Sequence, residues 1–138
     1  MKKYDGSWGP LRHKEKLAEG MFSFVLSAPE IARTAVPGQL VHVRRPHRTL
    51  RRPISLCNIN SQEGTIRLVF QVRGEGTAEL AEIPEGDELE VLGPLGTGFP
   101  LLRQTDKALL VGGGIGGTPL LHLAGSYGAG TTVPLGLR

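Results

Sequence analysis

Two arginines, a proline and a serine stand close together in the segment Leu-Arg-Arg-Pro-Ile-Ser-Leu-Cys at positions 50–57. The guanidiniums of Arg51 and Arg52 offer planar, paired N–H donors to phosphate oxygens and stay charged at any physiological pH. Pro53 fixes φ and stiffens the backbone, and the Ser55 hydroxyl can both donate and accept a hydrogen bond. The segment therefore predicts anion binding beside a hydrogen-bonding edge, although an edge strand with solvated arginines would carry the same residues.

Three further motifs follow downstream in a fixed order. Val-Phe-Gln at 69–71 leads into Gly-Glu-Gly-Thr at 74–77, and Gly-Pro-Leu-Gly-Thr-Gly-Phe-Pro occupies 93–100. Val-Gly-Gly-Gly-Ile-Gly-Gly-Thr-Pro-Leu occupies 111–120. Each motif alone is weak, but four in this order and spacing are specific. Together they resemble the ferredoxin-reductase-like flavoproteins and, within that superfamily, the electron transfer subunits of the bacterial dihydroorotate dehydrogenase B complex.

The resemblance implies FAD as the cofactor and a catalytic dihydroorotate dehydrogenase subunit as the partner. In such proteins FAD takes a hydride from NADH and passes the electrons on, so no catalytic side chain is expected. Arg52 would bind the FAD pyrophosphate, with Gly76 and Thr77 donating to phosphate. Pro53 and Ile54 would lie along the flavin, where many relatives carry a stacking tyrosine in place of the isoleucine. Ser55 would reach toward the flavin N5 or O4 edge.

The same resemblance assigns two further groups of residues. Val69, Phe70 and Gln71 would form the strand next to FAD. Gly113, Gly114 and Gly116 would face the nicotinamide nucleotide, in a site expected to be incomplete. The [2Fe–2S] cluster of the resembled family is not supported by this chain, because such a cluster needs about four cysteines and Cys57 is the only one. We expect Cys57 to be a buried, inert thiol.

Charge is concentrated in one part of the chain. The 138 residues carry 16 basic and 13 acidic side chains, a net charge of only +3. This distribution predicts a local anion site rather than a surface that coats a polyanion. No metal site is expected, because the histidines in this part lack partners at ligand spacing. The basic cluster consists of Arg44, Arg45, Arg48, Arg51 and Arg52, with His42 and His47 interleaved.

Three alternatives compete with the flavoprotein interpretation. Another flavin reductase subunit of the same superfamily would carry the same motifs. A small barrel could use its arginines for single-stranded nucleic acid, but aromatic residues are only 5% of the chain and none lies within 44–52, so we expect no nucleic-acid partner. The chain could also be a remnant that does not fold stably.

The first residues lack an apolar stretch and no run approaches about 18 apolar residues, so a cytoplasmic protein without a membrane segment is expected.

Alternating apolar residues predict short strands at 21–28, 40–44, 54–59, 66–72 and 89–92, which favours a mainly β fold built on a small antiparallel barrel. Thr77 is expected to cap a short helix at 78–83. Residues 107–111, the glycine loop and a helix at 120–124 capped by Thr118 resemble the opening of an α/β nucleotide-binding domain, with 131–137 as a candidate second strand. We therefore expect an FAD-binding barrel domain at 1–103 and an incomplete first β-α-β unit at 104–138, as in a truncated protein.

Overall fold

Six antiparallel strands close into a barrel. The computed structural model describes residues 6–100, 108–120, 123–124, 131–132 and 135–136. The barrel strands are β1 (Ser7–Ala18), β2 (Met21–Ser27), β3 (Leu40–Arg44), β4 (Arg52–Asn60), β5 (Thr65–Gln71) and β6 (Glu88–Leu95). They pair in the order β1-β2-β5-β4-β3-β6, with β6 returning to β1. The expected mainly β fold with an antiparallel barrel is confirmed.

Alternate residues of these strands form most of the core, and a few residues of the helices and loops complete it. Facing residues such as Val41 with Ile54 and Leu56 with Leu68 are cross-strand neighbours, and all four are buried. Phe24 meets Phe70 edge to face, with ring centroids 4.9 Å apart, an arrangement that favours aromatic packing. Apolar alternation in the sequence thus sets which face of each strand points inward.

Two short helices lie between barrel strands. Helix α1 (Pro29–Thr34) begins with a proline, which suits the first turn, and buries Ile31 and Ala32. Helix α2 (Glu75–Ala81) begins after Gly74, so the prediction that Thr77 caps a helix at 78–83 is wrong. Thr77 lies in the first turn instead, and its hydroxyl accepts hydrogen bonds from the backbone N–H groups of Arg73 (2.8 Å) and Gly74 (3.2 Å).

Short parallel pairs follow the barrel. Strand β7 (Ala108–Leu109) pairs with β9 (Thr131–Thr132), and β8 (Gly112–Gly113) pairs with β10 (Leu135–Gly136). A 3-10 helix, Gly114–Gly117, follows β8. Parallel pairing needs a crossover connection between the strands, and the expected β-α-β unit at 104–138 stays a prediction. The expected domain boundary at 103/104 lies outside the described residues.

Thr118 does not have the backbone of a helix N-cap. Its φ and ψ are helical, −63° and −42°, and its hydroxyl donates to the Ile115 carbonyl oxygen at 3.0 Å. The expected cap at Thr118 is therefore wrong, since an N-cap residue has extended rather than helical dihedrals. Thr118 and Pro119 instead form a turn between the 3-10 helix and the helical residue 120.

Candidate functional site

A cleft of about 300 Å³ opens between the β3–β4 loop, residues 45–51, and the start of helix α2. The loop contributes basic and apolar groups, and α2 contributes glutamates and a glycine. Loop and helix are far apart in sequence, so the barrel brings the two walls together. The lining residues are Val43, Arg44, Arg45, His47, Arg48, Thr49, Leu50, Arg52, Glu75, Gly76, Glu79 and Leu80.

Arg52 and Gly76 are in direct contact within this cleft. A Cβ atom built on Gly76 would overlap the guanidinium of Arg52, so residue 76 has no space for a side chain while Arg52 keeps this position. Arg52 is exposed to solvent and forms no ion pair within the described part of the chain. Two residues assigned to phosphate from the sequence thus lie side by side, and the positive charge of Arg52 is available to a ligand there.

The other arginines of the basic cluster are mostly paired with carboxylates. Arg48 reaches across the cleft to Glu79 of α2, with Nη2 and Oε1 2.6 Å apart. Arg44 and Arg51 converge on Glu90 of β6, and the Arg51 Nη2 to Glu90 Oε1 distance is 2.6 Å. Of the five arginines in this cluster, only Arg45 and Arg52 form no ion pair among the described residues. The anion site predicted for the whole cluster is therefore reduced to these two guanidiniums.

Glu90 is a buried carboxylate held by three donors. Its residue is 3% exposed, and besides the two guanidiniums it accepts the backbone N–H of Gly6 at 3.2 Å. Burial raises the pKa of Glu90, but the hydrogen bonds and charges of Arg51 and Arg44 together outweigh burial, so the pKa lies below its ordinary value of 4.5. Glu90 is therefore ionised at neutral pH.

The four residues of the Arg-Pro-Ile-Ser motif do not all point the same way. Arg52, Pro53 and Ser55 are exposed, whereas the Ile54 side chain is 7% exposed and belongs to the barrel core. Any molecule lying on this part of β4 would therefore meet the side chains of Pro53 and Ser55, while Ile54 supports the strand from inside. The opposite orientations of Ile54 and of Pro53 and Ser55 follow from the alternation of side chains along a strand, whereas Arg52 is exposed because it is the first residue of β4.

The Val-Phe-Gln motif is divided between the core and the outer face of β5. Phe70 packs in the core with Phe22 and Phe24. Val69 is 5% exposed but lies outside that core cluster, and Gln71 is partly exposed. Because alternate residues face opposite sides, Val69 and Gln71 share the outer face of β5.

The glycine-rich segment lies near β5. Strand β5 contacts the 3-10 helix that begins at Gly114. Gly113, Gly114 and Gly116 are exposed, and a Cβ built on any of them would meet open space. Their backbone is thus accessible, and the residues predicted for the nicotinamide nucleotide lie near the strand predicted for FAD.

Cys57 is buried, as expected, at 1% exposure. Burial raises the pKa of its thiol, and the positive charge of Arg67 offsets only part of that rise. Among the described residues, no group of three or more His, Cys, Asp or Glu side chains could hold a metal ion. No helix in the described ranges is both long enough and apolar enough to cross a bilayer.

The sequence analysis missed two carboxylates that pair with the basic cluster, Glu79 and Glu90. Glu90 alternates with apolar neighbours in β6, which is the pattern of a solvent-facing strand residue. Its partners Arg51 and Arg44 are 39 and 46 residues away in sequence. No local signal reveals such a pairing, because it exists only once the barrel has closed.

The barrel is that of a flavin-binding oxidoreductase domain. The family model described as the oxidoreductase FAD-binding domain matches residues 9–99, and the chain belongs to this family. That match covers all of the barrel beyond its first two residues, together with the Arg52–Gly76 contact.

Within this class, several curated relatives that are similar to the chain carry the same name. It is 44% identical over 113 residues to the dihydroorotate dehydrogenase B (NAD(+)) electron transfer subunit of Geobacillus kaustophilus, a match that covers 78% of this chain and 44% of the relative. The subunit of the same name from Bacillus cereus strain B4264 is 38% identical over 117 residues, covering 81% and 45%. The chain thus spans about half the length of the curated relatives it matches.

Solved structures agree with this assignment. A structure of an NADH-dependent reduced ferredoxin-NADP oxidoreductase superposes with a TM-score of 0.85 at 34% identity, covering 96% of this chain and 49% of the other. Phthalate dioxygenase reductase superposes with a TM-score of 0.73 at 30% identity, covering 96% and 43%. The resemblance to ferredoxin-reductase-like flavoproteins stated from the sequence is confirmed.

Proposed function

We propose that this chain holds FAD in the cleft between the β3–β4 loop and α2 and uses it to transfer electrons. The observation that carries the proposal is the contact of Arg52 with Gly76, inside the segment matched by the FAD-binding family model. A guanidinium that has no ion-pair partner among the described residues, beside a backbone without a side chain, fits a phosphate group well.

The residues present are suited to each part of FAD. Arg52 would bind the pyrophosphate, and backbone N–H groups of Gly76 and Thr77, which have no intrahelical acceptor in the first turn, would donate to it. The flavin would lie along β4, with Pro53 beneath it and the Ser55 hydroxyl at its N5 or O4 edge. FAD when bound supplies hydride acceptance and electron release, and the protein supplies orientation.

The two redox partners of the flavin form the second part of the proposal. The names of the curated relatives support transfer between a nicotinamide nucleotide and a partner dihydroorotate dehydrogenase subunit in pyrimidine biosynthesis. Gly113, Gly114 and Gly116 would approach the nicotinamide nucleotide, consistent with their accessible backbone near β5. A cytoplasmic location is part of this proposal, because it is inferred only from the proposed role.

A second candidate is a flavin module that serves a different electron acceptor. The observation that favours it is the similarity to the reduced ferredoxin-NADP oxidoreductase structure, at 34% identity and a TM-score of 0.85. Both candidates share the FAD site and differ only in the acceptor, so they are separated by acceptor assays.

The decisive experiment is to identify the bound flavin. The purified chain, reconstituted with FAD and desalted, should keep a flavin visible spectrum, and denaturation should release FAD rather than FMN. Photoreduced protein is then mixed anaerobically with a dihydroorotate dehydrogenase catalytic subunit or with a ferredoxin, and flavin reoxidation is followed. A protein that retains no FAD after reconstitution would refute the proposal, and reoxidation by ferredoxin alone would favour the second candidate.

A further inference from the structure

Glu90 binds both ends of the loop that forms one wall of the cleft. Arg44 is the last residue of β3 and lies directly opposite Glu90 in the β3–β6 pairing. Arg51 is the last loop residue before β4, and its guanidinium donates to the other oxygen of the same carboxylate. One buried carboxylate therefore fixes the points at which the loop leaves β3 and enters β4.

The entry into β4 is also the position of Arg52. Because Arg51 and Arg52 are consecutive, holding the Arg51 guanidinium toward Glu90 sets the backbone direction from which the Arg52 side chain departs. Arg52 then lies against Gly76, on the far side of the cleft. Glu90 itself does not line the cleft, so any influence on a bound anion must pass through the arginines.

Charge gives Glu90 a second effect on Arg52. The side chains of Arg44 and Arg51 are only 29% and 28% exposed, so solvent screens their charges incompletely. Without a counterion, these charges would act on neighbouring groups. The carboxylate of Glu90 offsets that charge and reduces its repulsion of the Arg52 guanidinium. With Arg44 and Arg51 engaged elsewhere, Arg52 is the guanidinium of these three that remains available for a ligand.

From this geometry we propose that Glu90 is a positioning residue for the phosphate-binding site: it holds Arg51 and Arg44 so that Arg52 faces the dinucleotide pyrophosphate from one defined direction. The inference rests on the proposed FAD site. It assigns a role to a residue that touches neither the cofactor nor the cleft, and it makes the binding contributions of Glu90 and Arg52 interdependent.

The test is a double-mutant cycle read out by FAD binding. Dissociation constants for FAD are measured by quenching of flavin fluorescence in the wild type, Glu90→Gln, Arg52→Ala and the double variant, at a temperature where thermal unfolding shows each to be folded. We expect Glu90→Gln to weaken FAD binding about tenfold in the wild-type background and less than about threefold when Arg52 is alanine, because residues acting through one another are not additive. Glu30→Gln, which removes an exposed carboxylate paired with Arg33 on α1, is the matched control and should leave the FAD affinity unchanged.

Each outcome decides the inference. A Glu90→Gln protein that is less stable but binds FAD as tightly as the wild type, or that loses the same factor with and without Arg52, would show a purely structural role. If Glu90→Gln does not fold, Arg51→Gln leaves Glu90 paired with Arg44 and replaces it in the cycle, with the same expectation and the same contradicting results. Failure of the wild type itself to bind FAD would remove the proposed function, and this inference with it, and is distinguished by occurring before any substitution.

Discussion

The guanidinium of Arg52 lies so close to the Cα of Gly76 that no Cβ atom fits between them. One residue begins strand β4 and the other lies in the first turn of α2, so the contact joins two walls of the cleft. It requires the smallest residue at position 76 and leaves the charge of Arg52 open to solvent. A substitution at either position should therefore change ligand binding more than it changes folding.

Gly76→Ala should weaken FAD binding about tenfold, because the new methyl group displaces the exposed end of Arg52 and about 1.4 kcal/mol of binding energy is a factor of ten. Thermal stability should not fall by more than about 1 kcal/mol, because alanine favours a helix over glycine by about that amount and Arg52 can turn into solvent. Gly74→Ser is the control, because residue 74 has open space around it and serine is a good N-cap. Unchanged FAD affinity in Gly76→Ala would show that the contact plays no part in binding.

Arg52→Ala should weaken FAD binding far more than Arg45→Ala. Both arginines line the cleft and neither forms an ion pair among the described residues, so the two variants remove equal charge. A charge-assisted hydrogen bond contributes about 1.5 to 3 kcal/mol, so Arg52→Ala should raise the dissociation constant by roughly 10-fold to 150-fold. Arg45→Ala should change it less than about threefold, since only Arg52 lies against Gly76 at the proposed pyrophosphate position. Equal affinities of the two variants in a fluorescence titration would contradict the assignment of Arg52.

Sequence reasoning predicted those parts of the molecule whose signal is local. Strands β2 and β5 alternate apolar and polar residues and were predicted almost to the residue. Strand β1 was missed because its middle part, Arg-His-Lys-Glu-Lys at 12–16, is charged on both faces and has no apolar alternation. Such a strand forms because β2 and β6 supply its hydrogen-bond partners, a tertiary effect that overrides local preference.

The residues of the site likewise divide into those that the sequence predicts and those that only the structure reveals. Arg52 and Gly76 could be assigned to one phosphate group because family motifs mark both positions. The start of α2 was predicted too late, because the Thr77 hydroxyl is a plausible N-cap and only the structure reveals that it accepts from residues 73 and 74. The role of Glu90 could not be predicted, because its partners are joined to it by barrel closure and not by sequence proximity.

Cys57 should react slowly with iodoacetamide in the native protein. The thiolate is the reactive form, and burial both raises the thiol pKa and blocks access to the sulfur, with Arg67 opposing only the first effect. We expect alkylation at pH 8 to be at least about a hundredfold slower than in denaturant, since it would need local opening of the β4–β5 pairing. The rate is followed by mass spectrometry, and comparable native and denatured rates would show that the thiol is accessible.

Glu90 should make the stability of the protein sensitive to acid. Because its pKa in the folded state lies below the ordinary value of 4.5, ionised Glu90 stabilises the folded protein above pH 4.5, and this contribution is lost as the pH falls through the folded-state pKa. Glutamine at position 90 has nearly the same shape and no charge. Breaking a buried ion pair costs about 3 to 5 kcal/mol. Because Arg44 and Arg51 are partly exposed, we expect Glu90→Gln to lower the free energy of unfolding by about 3 kcal/mol at pH 7, the lower end of this range.

The stability difference between wild type and Glu90→Gln should therefore shrink as the solution is acidified from pH 7 toward pH 3, because protonated glutamate and glutamine are near equivalents. Urea unfolding of both proteins across this range measures it, and taking the difference cancels the other carboxylates, which titrate alike in the two proteins. Glu30→Gln, at an exposed pair, should differ from wild type by no more than about 1 kcal/mol at any pH. A gap between wild type and Glu90→Gln that stays constant from pH 7 to pH 3 would mean that the stabilisation by Glu90 does not depend on its charge.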